Sequence, residues 1–353
     1  MNVNSSMLII AAILNALLVI NMVFILTRSS FDPLATLGDA IRSFLRTPDP
    51  TTTEQSLLTK ADIQQGLWGS HETKPCVPGS HYWLQAPSLS RWALTILSWV
   101  VVGAPTAAAL ALMARASSEG VETPFGTATP ETTFAFPKPI AMPQLALIAA
   151  LPQLLLAVLY LSTNALLTTY FLSHELSLFA LGPRSLRVSS SPAGTQTASL
   201  YLSLPRPVSW LLLAIFAGLS FVLSQAVFPL ISSPTTSETR QSSVAFNSQA
   251  LLILFALLGA LLFIILALGF RRTPVTTLGQ DEGVRGNPLA QTTGGGPCSA
   301  VLSARCHPVR GEGEFWLGPV AWGVVVEAMD SRPGRCAFTG QAVGLWDTSK
   351  QYS

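Results

Sequence analysis

Five stretches of this chain are long, apolar and free of charged residues, and they restrict its fold more than any other feature. They run from Met7 to Leu26, Trp92 to Ala114, Leu147 to Phe171, Val208 to Ile231 and Leu251 to Phe270. A hydrocarbon layer of ~30 Å takes about 20 helical residues to cross, because each adds ~1.5 Å and every backbone amide must find its partner within the helix. All five meet that length. Hydrophobic residues make up 49% of the 353 and charged residues 11%, less than half the ~25% of ordinary soluble domains. The expected fold class is an all-α membrane protein of about five transmembrane helices, with a small, partly disordered or β-containing cytosolic tail.

The first stretch reads as an uncleaved span and not as a secretory signal. Its leading MNVNSS carries no positive charge, the apolar run exceeds the usual signal length, and no A-x-A pattern precedes Arg28. The second is lowered in hydrophobicity by Gly103, Pro105 and Thr106, with Trp92 and Trp99 to anchor it at the interface. Pro152 and Asn164 in the third, and Ser224 and Gln225 in the fourth, suit contact with neighbouring helices better than contact with lipid.

Basic residues orient the spans, since Lys and Arg near helix ends stay in the cytosol. With the N-terminus outside, the connection between spans one and two, the connection between spans three and four, and the tail together hold 17 of the 20 basic residues. The opposite side keeps Arg115, Lys138 and Arg240. The expected layout is a stub and first span over 1–26, a cytosolic loop over 27–91, spans over 92–114 and 147–171 around an outer loop at 115–146, and a cytosolic loop over 172–207. Spans over 208–231 and 251–270 then flank an outer loop at 232–250, and a cytosolic tail fills 271–353. The outer loops, rich in Thr, Ser, Ala and Pro, read as flexible connectors. Asn4 heads an N-x-[ST] sequon too close to the first span for ready glycosylation.

The net charge of +2 and its scatter between apolar blocks argue against a nucleic-acid partner. In the first cytosolic loop, Leu34, Leu37, Ile41, Phe44 and Leu45 recur at helical spacing between Pro33 and Pro48. Such a short amphipathic helix, with Asp39, Arg42, Phe44 and Arg46, fits either the inner membrane surface or packing against the bundle. Asp49, between two prolines, reads as a turn carboxylate. In the tail the GGGP run at Gly294 is a hinge without the GK[ST] ending of a phosphate loop, and WLGPVAWGVVVEA and CAFTG read as short strands.

Cys298, Cys306, His307 and Cys336 are the residue types of a tetrahedral zinc site, but seven residues separate Cys298 from Cys306 and His307 adjoins Cys306, a spacing unlike a zinc knuckle. Packed thiols are the simpler reading, and no cofactor is expected. Asn164, Gln225 and Glu175 could line a polar path through the membrane. No Ser/His/Asp set, H-E-x-x-H or dinucleotide fingerprint occurs, so a noncatalytic organiser with lipid and protein partners is expected, with a transporter or channel component as the alternative.

The strings PLATLGDAIRSFLRTPDPTT, LLTKADI, LPQLLLAVLYLSTNAL, LRVSSSPAGTQTASLYLSLP, FVLSQAVF, CSAVLSARCHP and AWGVVV with CAFTG, in that order, resemble one family. It is a group of fungal multipass membrane proteins catalogued only as a domain of unknown function. The resemblance covers most of the chain and is to the C-terminal half of longer members, whose named N-terminal domain has no counterpart in this sequence. It departs after Glu175, where the family usually has Trp, and near Leu204 and Pro205, where a Tyr-rich LP motif is weakened. It implies a membrane architecture and carries no activity.

Overall fold

The computed structural model describes residues 5–28, 34–67, 73–117, 142–200, 203–232, 241–277, 285–290, 298–308, 311–327 and 332–344, together with 125, 127, 132–136, 140, 329, 346–347 and 349–353. Among these the chain forms the α-helices α1 (Ser5–Arg28), α2 (Leu37–Arg46), α3 (Lys60–Gln64), α4 (Leu89–Ser117), α5 (Met142–Leu178), α6 (Arg206–Ala226), α7 (Ser248–Gly269) and α8 (Ser299–Arg305). Five of them, α1, α4, α5, α6 and α7, are long and apolar enough to cross a membrane. Their outward faces carry uncovered apolar side chains, among them Leu94, Leu154, Leu213 and Phe263. Water would penalise that band and hydrocarbon accepts it.

Helix α1 stands apart, with each side chain from Leu8 to Arg28 exposed. The other four long helices pack around Leu159 and Leu166 of α5, Leu219 of α6, and Leu258 and Leu261 of α7. Between apolar helices, small polar groups supply the specific contacts. Ser98 and Ser162 hydroxyls lie 2.7 Å apart between α4 and α5. Gln153 donates to the Ser220 carbonyl at 3.0 Å and accepts from its hydroxyl at 2.9 Å, joining α5 to α6.

The expected fourth span, carried to Ile231 by hydropathy, stops as a helix at Ala226. The next residues, Val227–Ser232 (VFPLIS), form a strand, because β-branched and aromatic residues suit a sheet and Pro229 lacks the N–H a helix needs. This strand pairs antiparallel with Gln241–Phe246, which pairs in turn with Thr133–Ala135. Pro229 sits on an edge strand, where a missing donor is tolerated. Both connections read as flexible thus contribute ordered strands to a small sheet at one end of the bundle.

At the other end two connections and the tail fold into one domain. Leu37, Ile41 and Leu45 of α2, Leu176 and Phe179 at the end of α5, Leu186 and Val188, and Trp322, Cys336, Phe338 and Tyr352 of the tail share a single core. The strands Pro319–Val326 and Arg335–Thr339 pair antiparallel, and the first also pairs with Arg184–Ser185. The last residues return to the first connection, where Gln351–Tyr352 pairs with Lys74–Pro75. Trp322 N–H donates to the Phe179 carbonyl at 2.9 Å, fastening the tail sheet to α5. An all-α class therefore describes the spans alone; the domain is mixed α and β, and the tail supplies part of it instead of hanging from the bundle. The segments that meet are those that the charge distribution assigns to one side of the membrane. The GGGP run and Asn4 lie outside the described residues.

Candidate functional site

Asp39 ties the first connection to the second. Thr36 caps α2, its hydroxyl accepting from Asp39 N–H at 3.1 Å while Asp39 Oδ2 accepts from Thr36 N–H at 2.9 Å and from Thr36 Oγ1 at 2.7 Å. The second oxygen, Oδ1, accepts from Ser189 N–H at 2.8 Å, 150 residues along the chain. The carboxylate is buried, so it both caps a helix and stitches the first connection to the second. Close packing accompanies this bond: a Cβ on Gly38 would lie 2.8 Å from the backbone N and C of Arg187. Arg42 reaches Ser190 Oγ at 3.2 Å, Phe44 is half-buried against the core and Arg46 is exposed. The apolar face of α2 is thus covered by the domain itself and not laid on a lipid surface.

Glu175, proposed from sequence for a polar path, instead meets Arg187, with Nη2 to Oε2 at 2.9 Å. Arg187 also donates to the Ser203 carbonyl at 2.9 Å, so the pair closes the end of α5 onto the second connection. Asn164 is half-buried in α5, about 16 Å along the helix from Glu175. Gln225 lies near the opposite end of α6, its Nε2 3.4 Å from Ser224 Oγ. The three do not converge.

His307 is tied to the first connection, its Nε2 3.0 Å from Thr52 Oγ1, which is itself 2.9 Å from Ser303 Oγ. Burial lowers its proton affinity below that of an ordinary imidazole. Cys306 and Cys336 are buried and Cys298 half-buried; burial raises the Cys306 and Cys336 thiols, keeping them protonated. Among the described residues no group of three or more His, Cys, Asp and Glu side chains is arranged to hold a metal ion. Asp49 accepts from Thr51 N–H and Oγ1 at 2.9 and 2.8 Å and caps a turn. Arg187, Ser189, Thr52 and Arg305 lie in strings that carry the family resemblance, but nothing in the sequence marks their partners. Thr36 has a local signal, because T-x-x-D before an apolar helical run is a capping pattern.

Within the bundle, an apolar cavity of about 700 Å³ opens between α4, α5 and α7 beneath the three-stranded sheet. Pro105 of α4 and Pro152 of α5 both line it, with Ala109, Leu254 and Phe246. A proline inside a helix removes one backbone hydrogen bond and prevents close packing of the turn before it, which accounts for room at this level. The only oxygen-bearing side chains among the described lining residues are Thr106, Thr132 and Thr133, and none is charged.

No curated protein and no solved structure matches this chain. A family model described as a domain of unknown function, DUF8419, matches residues 68–341. The match takes in Cys298 to Pro308, α4 to α8 and most of the tail strands, whereas α1 and the Gly38 to Thr52 segment precede it. Since the match spans well over half of the 353 residues, the chain belongs to the DUF8419 family, a domain of unknown function.

Proposed function

We propose that this multi-pass membrane protein is a noncatalytic organiser, with its N-terminus outside and the domain built from two connections and the tail presented in the cytosol. The observation that carries the reading is the shared core. Residues from two connections and the tail converge on one core, while Asp39, Glu175 and His307 are each engaged in tying segments together. Such a construction suits a fixed platform for protein and lipid contacts. The test is crosslinking of the full chain in native membranes, compared with an Asp39→Ala variant that inserts normally. The expected result is a defined set of cytosolic proteins captured only with the intact domain. Identical captures from both would overturn the reading.

The apolar cavity favours a second reading, a transporter component that handles an apolar solute instead of an ion. Transfer of such a solute between reconstituted vesicles should then fall when Ala109→Trp fills the cavity and stay unchanged when Asn164 or Gln225 is replaced. Transfer unaffected by Ala109→Trp would end that reading.

A further inference from the structure

Arg305 closes α8 and is 3% exposed, yet among the described residues no carboxylate forms an ion pair with it. Its Nε and Nη1 are buried without hydrogen-bond partners. The guanidinium carbon lies 5.9 Å from the Trp322 ring centroid, a contact that offsets only part of a buried charge. The groups nearest in charge terms are Cys306, Cys76, Cys298 and Cys336. Burial pushes the Cys76 thiol up to about 11 and raises Cys306 and Cys336 further, so these three stay neutral at ordinary pH. Burial brings Arg305 down only to about 10, which leaves it a cation. A buried charge is normally paired, and one that is not calls for a partner.

The side chain lines a cavity of about 350 Å³ between the first connection and the tail. Lys60 and Lys74 line the same cavity, together with Thr59 and Cys76, and no Asp or Glu does so among the described residues. Asp62 lies close by, 2.7 Å from Lys74 Nζ, and its carboxylate is also held by Thr59. Three basic side chains line this small recess, one of them deep and without an ion-pair partner among the described residues; together they match the charge of a phosphate group, and the Arg305 guanidinium has the fork that takes two of its oxygens. The volume falls at the small end of ligand sites.

We infer that this cavity binds a phosphate monoester, with Arg305 beneath the phosphate and Lys60 and Lys74 closing over it. The site goes beyond the platform role and does not depend on it. Its ligand would join the first connection to the tail, two parts of the chain that meet only when the domain is folded.

The test uses the full chain in detergent, with thermal unfolding followed in inorganic phosphate and in chloride at equal ionic strength. The expected result is a midpoint that rises and saturates with phosphate alone, as a ligand that binds only the folded state requires. Arg305→Met should abolish the response while unfolding no earlier than wild type without phosphate, since it removes an unpaired buried charge. Lys60→Gln combined with Lys74→Gln, nearer the rim, should raise the half-saturating phosphate concentration roughly tenfold or more, and it serves if Arg305→Met fails to fold. Equal responses to phosphate and chloride, or an unchanged response in the variants, would overturn the site. Reconstitution with a phosphoinositide, compared with its soluble inositol phosphate at equal concentration, then separates the sources: greater stabilisation by the lipid identifies a headgroup, and stabilisation by the soluble form that equals or exceeds it identifies a free phosphate.

Discussion

Asp39→Ala removes one buried carboxylate and breaks two connections at once. Thr36 N–H loses its cap, which costs about 1 kcal/mol in helices of this kind. Ser189 N–H, bonded at 2.8 Å in a buried setting, loses an acceptor, and a buried donor left unsatisfied costs ~1–3 kcal/mol. Together with the lost bond from Thr36 Oγ1, the domain should lose about 2–5 kcal/mol. Asp39→Asn retains one acceptor oxygen, enough for Thr36 or for Ser189 but not both, and should fall between. The spans should be unaffected, because their core is separate. Hydrogen exchange of the full chain in detergent reads the two regions independently: amides of the Pro319–Val326 strand and α2 should exchange faster in the order wild type, Asn, Ala, while α6 and α7 stay protected. If Asp39→Asn matches Asp39→Ala, or if neither changes domain exchange, the two-sided role of the carboxylate is wrong.

Gly38→Ala should destabilise the same seam by ~1–3 kcal/mol or more, read by the same exchange measurement, because the new Cβ meets the Arg187 backbone and not a movable side chain. Burial holds the His81 and His307 imidazoles below their ordinary 6.5, so the unfolded chain takes up protons first as pH falls. Domain stability should be full above about pH 6.5 and decline as pH drops from there toward the lowered folded values, and His307→Gln should flatten part of that decline in thermal unfolding. A maleimide should modify Cys298 readily and Cys76, Cys306 and Cys336 only after denaturation, as mass spectrometry of the labelled chain would show. With a membrane-impermeant reagent on sealed vesicles of known sidedness, Cys298 labelling from the cytosolic face alone checks the proposed orientation.

The five long helices were legible because crossing length and absence of charge are properties of a local window. So was α2, whose apolar positions recur at helical spacing, and so were the tail strands in WLGPVAWGVVVEA and CAFTG. What covers these faces was not legible. The periodicity of Leu37, Ile41 and Leu45 announces a buried stripe without saying that Leu176, Trp322 and Phe338 bury it. Hydropathy carried the fourth span through VFPLI to Ile231 because a lipid-facing helix and a half-buried edge strand share the same composition. The site residues divide on the same line. Asp39 could be found through its local cap, but its bond to Ser189 spans 150 residues, and nothing near Arg305 in sequence reveals that it would lie buried beside lysines of another connection.

Helix α5 has 37 residues, a rod of about 55 Å that exceeds the ~30 Å hydrocarbon layer. Its surplus turns are planted in the domain through Leu176 and the adjoining Phe179, while Pro152 borders the intramembrane cavity. These landmarks stand about 36 Å apart on one unbroken helix. A tilt of about 10° at Pro152 would therefore sweep Leu176 through about 6 Å, on the scale of a whole helical turn. A bend at Pro152, where the cavity lies, would thus be felt at the far end of the same helix, among the residues of the domain core.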